Sequence, residues 1–359
     1  MNNSRNDINK LLGIDYPIVQ GPFGGGLSTV ELVSTVSNNG GLGSYGAHLL
    51  SPDEIINLGN EIRFSTQRSF SLNLWVSKID PEVEDISEEQ YEACSEALSQ
   101  AFGHLNLSIP SWKDRPKEYT FEEQAEAIIK AKPKAFSFVY GIPSDEILLE
   151  CKRNGIVTIG AATTIEEALA HENAGVDAVV VSGFEAGGHR PSFLRSAEDS
   201  LVGSFSLVPT IRDKVNIPII SAGGIADSRG IRAALALGAD AAQIGTAFLA
   251  CKESGASSAH RQLILDNQTE HGVLSKAYTG RLARFLENDV TRNFLKDSSK
   301  LLPFPLQSWL MSAVKQEAML SGNREILGAY SGQSSPIVKH ESAKALMKEL
   351  SSSFVSSNL

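Results

Sequence analysis

The feature that most constrains this chain is a recurrence. Eight short apolar runs, Tyr16–Gln20, Gly41–Tyr45, Ser69–Trp75, Ala135–Tyr140, Ile156–Gly160, Ala178–Ser182, Pro218–Ser221 and Ala241–Ile244, are each followed by a loop and a stretch of helical period. Runs of this length rich in Val, Ile and Phe read as strands, and a helix between successive strands is what a parallel pair requires, since no tight hairpin can join it. Helix-start chemistry agrees: Ser51-Pro52-Asp53-Glu54 puts proline at the first helical position, and Thr164-Ile165-Glu166-Glu167 has capping-box spacing. Gly175, Gly230 and Gly238 fit turns or close packing. Eight such units predict an α/β chain folded as a (β/α)8 TIM barrel over about residues 14–252, rather than a two-half doubly wound sheet.

Two stretches fall outside the repeat. Residues 77–120 carry an acidic, helix-like piece at Pro81–Gln90 and a turn at Ile109-Pro110-Ser111-Trp112, and read as an insertion after the third strand. Residues 253–359 have helical pattern broken at Pro303 and Pro305 and end in a serine-rich tail, Ser351 to Ser357, which predicts a helical extension or lid with a frayed terminus. The expected division is therefore 1–252 for the barrel with its insertion and 253–359 for the extension.

Composition narrows the class of partner. With 359 residues, 42% hydrophobic and 21% charged, the chain can bury a large core. Its length would also allow two or three domains at roughly 100–200 residues each. A net charge of −10 opposes binding to a phosphate backbone, so nucleic acid is not an expected partner. No segment has the length of uninterrupted apolar sequence that a membrane span requires, and the polar start, Met1 to Asp7, has no signal-peptide pattern. Cys94, Cys151 and Cys251 lie far apart, form no zinc or disulfide pattern, and read as buried thiols in a reducing compartment. The expected location is the cytoplasm.

In a barrel the chemistry sits where the strands end. After the seventh run comes Ser221-Ala222-Gly223-Gly224-Ile225, and across the eighth Gln243-Ile244-Gly245-Thr246. Glycines let backbone N–H groups approach an anion, a helix start adds its positive end, and Thr246 offers a hydroxyl, so the two loops suit a phosphate. The alternative is that these glycines only form tight turns. After the sixth run, Gly183-Phe184-Glu185-Ala186-Gly187-Gly188-His189-Arg190 places an imidazole on a flexible glycine turn, suited to moving a proton near neutral pH.

Around this loop, Glu185 is expected to orient it or a nearby helix end, and Arg190 is the first basic residue to consider at the mouth of the site. His48 is a weaker candidate than His189, while His104, His171, His260, His271 and His340 read as structural or exposed. Gly21-Pro22-Phe23 after the first run can bring backbone against a flat ring, and the amide of Asn73 needs polar partners that a heterocycle would supply. No serine-nucleophile motif, P-loop, HExxH or metal-ligand cluster appears, so triad or metal hydrolysis has no support and no metal is expected.

Taken in order, Pro17-Ile18-Val19-Gln20-Gly21-Pro22, Asn39-Gly40-Gly41-Leu42-Gly43, Asn73-Leu74-Trp75, Glu185-Ala186-Gly187-Gly188-His189, Ser221-Ala222-Gly223-Gly224-Ile225 and Gln243-Ile244-Gly245-Thr246 resemble the nitronate monooxygenases, FMN-dependent (β/α)8 barrels. The resemblance implies FMN as cofactor. It gives the phosphate to Gly223, Gly224, Gly245 and Thr246, with Gln243 and Ile244 beside them. It gives the flavin ring to Gly21, Pro22, Phe23 and Asn73, with Gly187 and Ser182 also at the cofactor, and it implies that His189 is the catalytic histidine. Tyr278 to Arg284 and Gly332-Gln333 resemble later family segments that would close over the flavin. Two positions depart from the pattern: Ser182 stands where many members have glutamine, and Phe285 replaces the last glycine of the family's SGRxARG segment.

The implied reaction is oxidation of an alkyl nitronate, such as propionate 3-nitronate, by O2 through FMN, giving a carbonyl compound and nitrite without a nicotinamide. His189 would stabilise charge on the nitro group when protonated or hydrogen-bonding, or take the α-proton of a neutral nitroalkane. The partners would then be small molecules, nitronate and O2, with no nucleic acid and no membrane, and with the oligomeric state open. An FMN-dependent enoyl-ACP reductase of the FabK type is the rival, against which the insertion and the long C-terminal segment would speak. A phosphate-ligand-binding barrel without catalysis is the reading of another class.

Overall fold

The computed structural model describes residues 8–105, 107–115, 119–266, 272–295 and 301–355; segment 1–7, His271, Ser356 and Ser357 lie outside the described residues. Strands β1 (Ile18–Gln20), β2 (Gly43–Gly46), β3 (Phe70–Trp75), β4 (Ala135–Val139), β5 (Val157–Ala162) and β6 (Ala178–Ser182) belong to one parallel sheet. The next strand, β7 (Gly188–His189), joins a second sheet, while β8 (Ile219–Ala222) and β9 (Ala241–Ile244) complete the first. Its order is β1-β9-β8-β6-β5-β4-β3-β2. The outer strands meet through a parallel bridge between Val19 and Leu42, with Gln20 N donating to Leu42 O at 2.9 Å. This is the (β/α)8 barrel that the eight runs predict.

Alternation along the strands divides the core into layers. Val19, Ile159, Val180 and Ile220 fill the barrel, and Ile8, Leu12 and Ile14 join them where Ala135, Val157, Ala178 and Ala241 begin their strands. The apolar N-terminal segment thus plugs the end away from the loops. Outward residues pack beneath the helices: Ile18, Val179, Val181, Ile219 and Ile244 in one cluster, Leu72, Leu74, Phe136 and Phe138 in another. Helix Pro52–Ser65 starts at Ser51 with a full capping box. At Thr164 the box is half made, because Glu167 N donates to the Thr164 hydroxyl but the Glu167 carboxylate turns to Thr163, Phe193 and Leu194 instead.

Two of the three cysteines are buried and Cys94 is half-buried, which corrects the expectation for that residue. None of the helices among the described residues is long and apolar enough to cross a membrane.

The extension is not wholly helical. Strands β10 (Gly272–Ser275) and β11 (Ala283–Leu286) form an antiparallel pair, and β11 also pairs with β7, bringing Ala283 opposite His189 and Arg284 opposite Gly188. The insertion contains helix Glu88–Ala101, later than the acidic stretch suggested, because Ser87 and Gln90 make the capping box. Tyr91, Leu98 and Phe102 of that insertion share one core with Tyr278, Phe285, Leu306, Leu310 and Val314 of the extension. As far as residue 355 the serine-rich stretch expected to fray is instead the end of helix Ala343–Val355, held by buried Leu346, Met347 and Leu350 against the barrel flank. Its Phe354 stacks on Tyr16 at 6.0 Å.

Candidate active site

The two glycine loops meet at the C-terminal ends of β8 and β9. Gly223 and Gly224 both have left-handed backbones, φ 104° and 74°, which glycine alone adopts without strain. Among the described residues, no backbone carbonyl accepts the N–H of Gly223, Gly224, Gly245 or Thr246 outside the regular elements. Helix Thr246–Leu249 begins there, and the Thr246 hydroxyl accepts from Gly332 N at 2.8 Å. Backbone donors without protein acceptors, on two adjacent glycine loops, fit an anionic group.

Gly332 and Gln333 of the extension lie directly over this cradle, with Gln333 N donating to Glu185 O at 2.9 Å. The approach is so close that a Cβ on Gly187 would stand 2.5 Å from Gly332 N. Glu185 itself accepts from Ser204 N at 2.8 and 3.0 Å and from the Ser204 hydroxyl, fixing the start of helix Ser204–Arg212.

The remaining sequence candidates surround the same barrel mouth. Gly21 N donates to Ile244 O at 2.8 Å, which ties the first loop to the last strand, and Phe23 N donates to the Ser28 hydroxyl. Pro22 lies between them in the loop. Asn73, on β3, is buried and donates from Nδ2 to the Ser137 hydroxyl at 3.0 Å, so one amide partner comes from the protein. Ser182 ends β6 and is buried; Gln243 is half-buried on β9. The Ile244 side chain lies in the outer core, leaving only its main chain at the loop.

Pairing with β11 holds His189 in a strand, which corrects the expectation of a flexible turn. Its Nε2 lies 3.0 Å from the Thr279 hydroxyl, and its ring meets Trp75 edge-on at 5.0 Å and Tyr330 at 5.6 Å. Trp75 also stacks on buried His48 at 4.2 Å and touches Tyr140 and Phe304. Burial, helped by the charges of His48, Arg281 and Lys315, pushes the His189 imidazole down from 6.5 to about 3, so it is neutral at physiological pH. His48 falls likewise to about 3, by burial first and then Lys78 and Arg281.

Several of these residues have no local sequence signal. The guanidinium of Arg281 sits over the rings of Tyr140, Phe304 and Trp75 at 4.2, 4.5 and 5.4 Å, and bonds Asp80 at 2.8 Å and Ser77 O at 2.9 Å. Tyr140 holds φ 62° at the end of β4, a rare backbone for an aromatic residue and a mark of functional sites. Lys315, from helix Ser312–Ser321, donates to the Ser308 hydroxyl, and burial pushes its ammonium down to about 8.

Arg190, by contrast, is buried. Its guanidinium donates to the carbonyls of Gly183, Ser182 and Ser200 at 2.5, 3.1 and 3.2 Å. It pins the loop rather than facing the mouth, and the cations that act on His189 are Arg281 and Lys315. His171 and His260 are buried structural histidines, bonded to Ala161 O and Tyr330 O. Among the described residues, no group of three or more His, Cys, Asp or Glu is placed to hold a metal.

A closed barrel that gathers two glycine loops and a neutral histidine on an aromatic wall at the same mouth has the build of a barrel enzyme. The chain belongs to the nitronate monooxygenase family, which it matches over residues 5–353. Probable nitronate monooxygenases of Staphylococcus aureus strain Newman and Staphylococcus haemolyticus are each 36% identical to it, over 97% and 96% of this chain and 96% of theirs. Among solved structures, nitroalkane oxidase from Streptomyces ansochromogenes superposes with TM-score 0.87 at 32% identity, covering 98% of both chains.

FabK from Thermotoga maritima superposes with TM-score 0.75 at 27% identity, over 98% of this chain and 97% of its own. Insertion and extension therefore do not separate the two classes, contrary to the sequence argument. Membership makes the chain an oxidoreductase, and oxidation of nitronates is the chemistry this kinship supports. It also sets aside the purely binding barrel.

Proposed function

We propose that this chain oxidises alkyl nitronates such as propionate 3-nitronate with O2, using FMN and no NAD(P)H, to a carbonyl product and nitrite. The observation that carries the reading is the convergence of two features at one barrel mouth. The Gly223–Gly224 and Gly245–Thr246 loops carry backbone donors without protein acceptors, suited to an anion, and neutral His189 stands on the wall of Trp75 and Tyr330. These residues fit FMN. Gly223, Gly224, Gly245 and Thr246 would hold its phosphate, with Gln243 and the Ile244 main chain beside them. Gly21, Pro22, Phe23, Asn73, Ser182 and Gly187 would line the ring. The chemistry a bound FMN supplies is electron transfer from nitronate to O2.

His189, as the catalytic residue, acts as a neutral ring. A nitronate is a carbanion equivalent that an imidazolium would reprotonate; burial pushes His189 down to about 3, so at neutral pH the ring has no imidazolium proton to give back. Toward a neutral nitroalkane the same ring is a base for the α-proton. Arg281, though paired with Asp80, and Lys315 put positive charge near His189, which would favour an anion there despite the net charge of −10.

An anaerobic titration tests the reading. Propionate 3-nitronate is expected to bleach the bound flavin, and NADH to leave it oxidised. Bleaching by NADH alone would instead support a FabK-type reductase, the reading favoured by the full-length likeness to FabK from Thermotoga maritima. Protein that is colourless and takes up no FMN would overturn the cofactor assignment.

A further inference from the structure

We infer that Thr279 is a positioning residue that locks His189 in the Nε2–H tautomer, leaving Nδ1 as the atom that meets substrate. The inference rests on the proposed role of His189, but its premise is a hydrogen-bond network independent of any ligand. A threonine hydroxyl has one proton to donate and two lone pairs to accept. Three polar atoms surround that of Thr279, which is buried: Arg281 O at 3.1 Å, Arg281 N at 3.3 Å and His189 Nε2 at 3.0 Å.

A carbonyl can only accept and a backbone N–H can only donate, so the Thr279 proton goes either to Arg281 O or to His189. Among the described residues no backbone N–H donates to Arg281 O, and Arg281 is itself buried. Turning the hydroxyl toward His189 would strip that carbonyl of its donor, at the cost of a buried unsatisfied acceptor. The arrangement that satisfies every group has Thr279 donating to Arg281 O and His189 Nε2–H donating to Thr279. The other ring nitrogen, Nδ1, makes no hydrogen bond to any described residue, and it is absent from the buried unpartnered atoms, so it opens on accessible space.

Thr279 thereby does for this ring what a carboxylate does for the histidine of a hydrolase triad: it sets which nitrogen bears the proton. The charged and titratable groups facing the ring come from four elements. They are His48 after β2, Arg281 from the loop before β11, Lys315 from helix Ser312–Ser321, and Tyr330 from the segment before Gly332. All of the cations disfavour a second proton, so the neutral ring has only its tautomer left to choose.

The test is 15N NMR of histidine-labelled protein as purified, with the His189 signals assigned by their loss in His189→Asn. Nε2 is expected to show the shift of a protonated nitrogen and Nδ1 that of an unprotonated one; the reverse overturns the inference. Thr279→Val, of the same shape, should mix the two tautomers and lower kcat on a neutral nitroalkane about tenfold, the weight of one hydrogen bond, with KM little changed. Thr279→Ser should restore both the spectrum and the rate. Equal loss in Thr279→Val and Thr279→Ser would make Thr279 a packing residue and defeat the idea. Failure of the nitronate reading would show separately, as absent turnover with the tautomer still as stated.

Discussion

Histidine at 6.5 in water and far lower in this fold ties stability to pH. His48 and His189 stand at about 3 and His260 at about 4, each lowered chiefly by burial. Between those values and 6.5 the unfolded chain binds protons that the folded chain refuses. The stability these groups contribute is therefore present above 6.5 and lost as pH falls toward 3, by up to about 1.4 kcal/mol per pH unit for each. Thermal unfolding followed from pH 7 to pH 4 should show Tm falling through this window, and less steeply in His48→Gln.

A second residue-scale outcome concerns Asp80. Its carboxylate bonds Arg281 Nε at 2.8 Å and accepts from Phe304 N at 3.0 Å. Asp80→Asn should release Arg281 from the aromatic wall and cost about 2 kcal/mol, read by denaturant unfolding, since a mostly buried guanidinium is left short of its partner. Of these residues the sequence makes His189 visible, because two glycines precede it in the loop after a strand. Arg281, Tyr140 and Lys315 are not visible, because distant chain segments bring them to the site.

At the scale of elements, the close approach of Gly187 to Gly332 is the tightest joint between the extension and the cradle. Gly187→Ala puts a methyl carbon 2.5 Å from Gly332 N, where only backbone can give way. The expected result is weaker flavin retention, measured by fluorescence of released FMN, with about 1–3 kcal/mol lost in stability. The barrel strands were legible because a strand covered on both faces leaves a continuous apolar run. Strands β7, β10 and β11 were not, since they fall outside the strand–helix repeat and the partner of His189, Ala283, lies far along the chain. The capping boxes at Ser51 and Ser87 follow local spacing, whereas Glu167 abandons Thr164 for Phe193 and Leu194, a choice set by tertiary contacts.

Across the whole molecule, insertion and extension stand or fall together. Tyr91, Leu98 and Phe102 have Leu306, Leu310 and Val314 as their cover, and Trp75, Tyr140 and Phe304 join that body to the barrel mouth. Ending the chain after residue 252 should yield aggregated protein without flavin, seen by size-exclusion chromatography and absorbance. The truncation would expose the insertion's apolar face and strip the barrel flank of Leu346, Met347 and Leu350.

The pairing of β7 with β11 has one more consequence. His189 faces Ala283, and Arg190 N donates to Leu282 O at 2.9 Å. In deuterated water, then, the amides around the imidazole should exchange at the pace of residues 282–286 and not at that of β6 just before them. The reactive ring keeps time with the far end of the chain, so a loosened extension would register at His189 while the barrel stayed shut.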